Sequence, residues 1–210
     1  MTRSETLPAA DFESAAATES TALRTVAALY VDPRGPYPSM PGVDCWDERR
    51  DARNYAGPHP VVAHPPCGPW SRLRFFCRHQ ARELAPLAVA QVRRWLGVLE
   101  HPMGSLLWRE MALPLPGGLP DAFGGFTVEV DQVHWGHRAQ KRTWLYIVGC
   151  KPSDIKLRNG GVATHVVTTS RRSDGTALPE CTQLERRLTP PAFAEFLLDI
   201  ARRCAPGGGE

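Results

Sequence analysis

The chain has 210 residues, 42% of them hydrophobic and 22% charged, with a formal net charge of +3. That is enough for one well-buried domain and thin for two. No apolar run approaches the roughly 18 residues of a membrane helix, and no charged-then-apolar segment opens the chain, so neither a membrane nor a secreted protein is expected, and the cytoplasm is the expected location. The six cysteines (45, 67, 77, 150, 181, 204) form no C-x-x-C pair and read as reduced thiols rather than a disulfide framework.

Residues 1 to 20 are small and polar without a sustained apolar period, which predicts a disordered tail; residues 21–205 then form a single domain. "TVAALYVD" (25–32) is β-branched and apolar up to Pro33 and reads as a buried strand. A proline-rich loop (33–42) leads to a short strand "VDCWD" (43–47) and the charged turn "ERRDARNY". "PVVAH" (60–64) is a third strand. Residues 79–96 carry apolar side chains at helical spacing, at Leu84, Leu87, Ala88, Val92, Trp95 and Leu96, with Pro86 suited to a helix start. "GVLEHP" (97–102) is a strand closed by proline, and "SLLWREM" (105–111) reads as one or two helical turns.

Glycines and prolines make 114–125 a loop. "FTVEVDQVHW" (126–135) alternates like a strand, and "RTWLYIVGC" (142–150) is the continuous apolar run of a central strand. Residues 151–180 are irregular apart from a candidate strand "ATHVVTT". Thr189 is placed to cap the closing helix 189–204, whose Phe193, Phe196, Leu197 and Ile200 share one face. Alternating strands and helices predict one α/β domain with a largely parallel sheet.

Three segments stand out chemically. In "VVAHPPCGPWSRLR" (61–74) prolines stiffen the exit of a strand and place Cys67 where open α/β sheets hold their chemistry. Arg72, Arg74 or His64 beside it would favour the thiolate; the plain alternative is a buried structural thiol. Glu100 ends "GVLEHP", where a buried carboxylate needs a partner; the alternative is a strand-end charge turned to solvent. In "HWGHRAQKRTWLYIVG" a glycine turn leads through Gln140 and Arg142 into a core strand, and an arginine there suits a phosphate or base edge. His134 and His137 suggest a metal, with no second close pair to complete the set. Arginines in "RLRFFCRHQAR" and "HRAQKR" make basic patches of the kind that meet phosphate backbones.

In order, these segments resemble the cytosine-C5 DNA methyltransferases. "PPCGPWS" is similar to the family's "PPCQPFS" catalytic loop, "LEHP" stands where it has an E-N-V or E-N-P strand end, and "AQKRTWLYIVG" resembles "PQNRERVYIIG", with Trp144 in place of its second arginine. The resemblance spans roughly residues 25–149 plus the last helix. It implies a Rossmann-like, methyltransferase-type sheet and a DNA pyrimidine substrate. Cys67 would add to C6 of a flipped-out base, Glu100 would hold the pyrimidine, and Arg142 would give electrostatic support. Pro66, Ser71, Arg72, Arg74 and Gln140 would line the substrate side. Asp32, Asp47 and Pro65 are the positions left for S-adenosylmethionine, with Asp47 matching the acidic residue on its ribose.

The departures matter as much. The family's "FSGIGG"-like loop and its helix have no counterpart in "LYVDPRGPYPSMPGVDCWD", so the cofactor-binding half looks truncated. Residues 151–180 stand where a recognition domain would be. Such economy suggests a phage or mobile-element protein acting in a bacterial cytoplasm. Several readings stay open: a methyltransferase using S-adenosylmethionine, a Cys67-dependent enzyme with another donor, and a non-catalytic relic binding nucleic acid or a partner protein. A metal- or redox-linked protein and a free-nucleotide substrate also remain.

Overall fold

A computed structural model of the chain describes residues 23–71, 74–77, 81–167 and 178–206; the expected tail (1–20) lies outside them. Six strands form one sheet: β1 (Val26–Leu29), β2 (Val43–Trp46), β3 (Val61–Ala63), β4 (Gly97–Pro102), β5 (Phe126–Asp131) and β6 (Arg142–Val148). Their spatial order is β2-β1-β3-β4-β6-β5. The first four strands run parallel, while β6 runs antiparallel to both β4 and β5.

The sheet is thus largely parallel, as expected, and is mixed only through β6, which runs against the other strands. The reason is the length of the β5–β6 connection. Residues 132–141 are too few for the crossover a parallel pair needs, so the chain turns back directly.

Two long helices cover the sheet. α1 (Leu84–Trp95) links β3 to β4, and α4 (Pro191–Arg203) closes the chain. Alternation along the strands divides the core into two layers. Val26, Ala28, Val62, Val98, Leu145 and Ile147 face Phe193, Leu197 and Ile200 of α4. Ala27, Leu29, Val61, Ala63, Leu99 and Tyr146 face Ala88, Val89 and Val92 of α1, together with Trp70 and Trp108. Short helices α2 (Leu106–Glu110) and α3 (Gln183–Arg187) complete the set. Among the described residues no helix is long and apolar enough to cross a membrane.

Several boundaries differ from the sequence reading, each for a local reason. α1 starts at Leu84 rather than His79, because the ring of Pro86 clashes with a helical carbonyl four residues back. β5 stops at Asp131, whose side chain accepts from the Val133 amide and starts a 3-10 turn, Gln132–Trp135. Pro190, not Thr189, is the N-cap of α4 and makes no side-chain cap. α3 was not anticipated; a capping box between Thr182 and Glu185 starts it. Of the candidate strand at 163–169, only isolated bridges at His165 and Val166 form, and Thr168 and Thr169 lie outside the described residues.

No α-helix separates β1 from β2, or β2 from β3: each link carries only a single 3-10 turn, Tyr37–Ser39 and Ala52–Asn54. The chain leaves β1 for β2 on one side and returns to β3 on the other. The carboxyl ends of β1 and β3 thus flank a topological switch point, where open α/β sheets form their crevices.

Candidate functional site

The site is built on the carboxyl ends of β1, β3 and β4. His64 follows β3, and its amide donates to the Leu29 carbonyl at the end of β1 (3.0 Å). Pro65 and Pro66 then carry the chain to Cys67, which leads into a 3-10 turn, Gly68–Trp70. Trp70 anchors that turn. It is 1% exposed, its indole donates to the Arg82 carbonyl (3.1 Å), and the Arg82 guanidinium lies 4.0 Å over its ring. Ser71 donates to the Gly68 carbonyl and closes the turn (3.1 Å). A Cβ at Gly68 would lie 2.4 Å from the Cys77 sulfur, so a larger residue there would have to push the Cys77 side chain aside.

Glu100 enters from β4, on the α4 face of the sheet. Its side chain is 13% exposed and both oxygens are engaged. Gln132 Nε2 donates to Oε1 (2.9 Å) and also to the Thr143 hydroxyl (3.0 Å). His64 Nδ1 lies 3.3 Å from Oε2, and the Tyr37 hydroxyl lies 2.7 Å from His64 Nε2. Burial acts to raise the Glu100 pKa. The His64 hydrogen bond and the charge of Lys141 outweigh it and bring the carboxyl down to about 2. Glu100 is thus an ionised, oriented carboxylate inside the fold.

Cys67 is reached by solvent, yet protein packed against its thiol raises the pKa. The Glu100 charge adds to that rise, and Lys141 opposes it. The resting group is a thiol. Neither Arg74 nor His64 promotes the thiolate as expected: Arg74 stacks 4.3 Å over the exposed Phe75 ring, and His64 is turned to Tyr37 and Glu100. Among the described residues, Lys141 is a cation that acts on both Cys67 and Glu100.

Arg142 takes no part in this cluster. Glu100 pairs with Leu145 across the β4–β6 ladder. Leu145 and Thr143 share the Glu100 face, so Arg142, three residues from Leu145, points to the other. There Arg142 Nε donates to Glu129 Oε1 (3.0 Å), and the Trp144 indole donates to Glu129 Oε2 (3.0 Å). Gln140 is exposed, Pro66 half-buried and Pro65 buried. Arg72 lies outside the described residues.

The structure thus brings Cys67, Pro66, Ser71 and Glu100 to one end of the sheet and sets Arg142 apart. Tyr37, Gln132 and Lys141 were missed, and His64 was assigned the wrong neighbour. The available signals were positional: His64 precedes the two prolines, and Lys141 lies between the two residues that had been singled out.

The positions left for S-adenosylmethionine do not fit it. After β1 the chain makes a tight turn, closed by the Gly35 amide on the Asp32 carbonyl (2.8 Å), and a 3-10 turn, but no α-helix whose first amide groups would face the ligand. Instead Tyr37, 2% exposed, packs into the space beside His64. Asp32 is clasped by Arg34 through its main-chain amide, Nε and Nη2 (2.9, 3.0 and 2.7 Å), which lowers its pKa to about 2. Asp47 accepts from the Arg50 amide (2.9 Å) and closes a turn.

The two histidines considered for a metal are occupied separately. His137 Nδ1 lies against the Ala139 backbone and Nε2 against the Glu185 carbonyl, while His134 Nδ1 accepts from the Gly161 amide. Among the described residues no three His, Cys, Asp or Glu side chains are grouped to hold a metal ion. A separate open cleft, lined by Glu129, Asp131, His134, Arg142 and Arg158, runs along β5 away from Cys67.

Comparison with models of known families and with curated proteins finds no match to this chain.

Proposed function

We propose that the chain is a DNA pyrimidine C5-modifying transferase in which Cys67 adds to C6 of the base and Glu100 holds its polar edge. The observation that carries this reading is the pairing of a solvent-reached cysteine with an ionised, doubly held carboxylate. They sit on adjacent strand ends, beside the switch point of the sheet.

C5 of a pyrimidine is a poor nucleophile. When the Cys67 sulfur loses its proton and bonds to C6, the ring electrons shift and C5 becomes enamine-like. The proton from the sulfur passes to ring N3 of cytosine, and Glu100, fixed by His64 and Gln132, accepts from the new N3–H and from the exocyclic amine and so steadies the protonated ring edge. C5 then takes up an electrophile. Loss of the C5 hydrogen as a proton to solvent breaks the C6–S bond, and the N3 proton returns to the departing sulfur as the thiol.

Lys141 replaces Arg142 in the electrostatic role. Because the thiol is raised at rest, ionisation belongs to the bound complex: a base over Glu100 removes the repulsion that Glu100 exerts on the sulfur. The ends of β1 and β2 do not suit S-adenosylmethionine as the resemblance would place it, so the donor is another electrophile or reaches C5 from a different side.

Arg74 stacked on the 80% exposed Phe75, a few residues past Cys67, supports a nucleic-acid substrate. Aromatic faces backed by arginine stack bases without regard to sequence. The test is nucleoside mass spectrometry of DNA from cells expressing the protein beside a Cys67→Ala control. A new pyrimidine mass that disappears with Cys67→Ala supports the reading, and a mass that persists in the control ends it. The raised Cys67 pKa and the turned-away Arg142 favour a second reading, a relic that binds nucleic acid without reacting. It predicts DNA binding with no new nucleoside.

A further inference from the structure

We infer that His64, backed by Tyr37, is the positioning residue that aims Glu100 at its ligand and keeps it aimed while the imidazole changes charge. This rests on the reading of Glu100 as the base-holding carboxylate. The geometry is a file of three side chains from three segments. Tyr37 comes from the β1–β2 link, His64 from the exit of β3, and Glu100 from β4, with contacts of 2.7 and 3.3 Å.

Tyr37 is 2% exposed, and the His64 and Glu100 side chains are 12% and 13% exposed, so water does not readily replace these bonds. The choice of a tyrosine behind the imidazole has a chemical consequence. A neutral His64 that donates from Nδ1 to Glu100 must accept at Nε2, and the Tyr37 hydroxyl can donate there. An imidazolium donates from both nitrogens, and the same hydroxyl, rotated, can accept. Both bonds can therefore form with either protonation form of the imidazole, and Glu100 keeps its orientation.

Among the described residues, a few other groups act on this file. Lys141, from the turn before β6, and His101, the next residue on β4, act on Glu100. Cys45 from β2 acts on Tyr37, and the Cys67 thiol responds to the Glu100 charge. Gln132 holds the other carboxylate oxygen but is uncharged. Among these, only His64 bonds directly to Glu100 and can carry a full charge.

The test is a carbon-13 NMR titration of the Glu100 carboxyl in the full chain, comparing wild type with His64→Ala, His64→Asn and Tyr37→Phe. In His64→Ala the Glu100 midpoint is expected to rise by about one unit or more. His64→Asn, which restores an N–H near Nδ1, should recover part of that shift and guards against a folding defect in the alanine variant. Tyr37→Phe should leave the Glu100 midpoint low, since the His64–Glu100 bond remains.

A Glu100 midpoint unmoved in both folded His64 variants overturns the inference and leaves Lys141 and Gln132 as the groups that hold the carboxylate. The titration uses neither DNA nor donor. A missing Cys67-dependent product would therefore count against the functional reading alone, and an unmoved midpoint against the inference alone.

Discussion

Glu100 and its neighbour His101 point to opposite faces of β4 and have opposite needs. Glu100 is kept charged, while His101, 0% exposed, stays neutral with its pKa pushed down to about 4, chiefly by burial. Both groups bind fewer protons folded than unfolded, so stability is lost as pH falls through their range. His101 contributes a loss between its ordinary 6.5 and about 4, and Glu100 contributes a further loss as pH falls from its ordinary 4.5 through about 2. His101→Asn should flatten the first limb of a melting-temperature profile; an unchanged slope would place that protonation elsewhere. Glu100→Gln should lower the rate of base modification on the order of 100-fold while DNA binding persists, and a near-neutral effect would remove Glu100 from the chemistry. At this scale Cys67 and Glu100 were legible because prolines mark both strand ends. Arg142 was not, because its face depends on the β4–β6 register, and three residues from Leu145 is an odd step. Lys141 carried no mark of its own beside Gln140 and Arg142.

The elements owe their positions to a few close approaches. Gly97 opens β4 with φ +124°, and a Cβ there would sit 1.9 Å from the Val61 carbonyl oxygen. Gly97→Ala should therefore cost about 2 kcal/mol or more in urea unfolding, and a loss below half that would show that β3 can yield. Phe193 of α4 is fully buried and meets the Trp135 ring edge-on at 5.3 Å. Its change to alanine should cost about 3–5 kcal/mol. Element types were readable from periodicity, and β4 even to its ends. The Gln132–Trp135 turn was read as strand because Val133 and Trp135 also alternate, yet they are out of phase with Phe126, Val128 and Val130, and the side-chain bond of Asp131 falls at that break. The reversed direction of β6 was implicit in the short link 132–141, but loop length excludes a crossover without saying which strand the returning chain will join.

Across the whole molecule, α1 and α4 cover β1, β3 and β4, whereas the links on either side of β2 hold only turns. The reduced first half was visible in the sequence, since residues 33–42 hold four prolines and leave little room for a helix. The positive excess of three charges is too small to bind a polyanion by itself, so affinity for DNA should depend on a local patch. Arg74→Ala and Phe75→Ala together should weaken binding of unrelated DNA sequences by a similar factor, on the order of tenfold, and lower the salt dependence by about one counterion. Loss confined to one sequence would make that loop a reader of bases instead. The central claim, that Cys67 adds to C6, can be measured without knowing the donor, because the enamine formed at C5 takes up solvent hydrogen. The measurement is deuterium exchange at pyrimidine C5 in a DNA oligonucleotide incubated with the protein in heavy water. The account predicts exchange with wild type and none with Cys67→Ala; exchange that survives in Cys67→Ala, or none with a wild-type protein that binds the oligonucleotide, would contradict it.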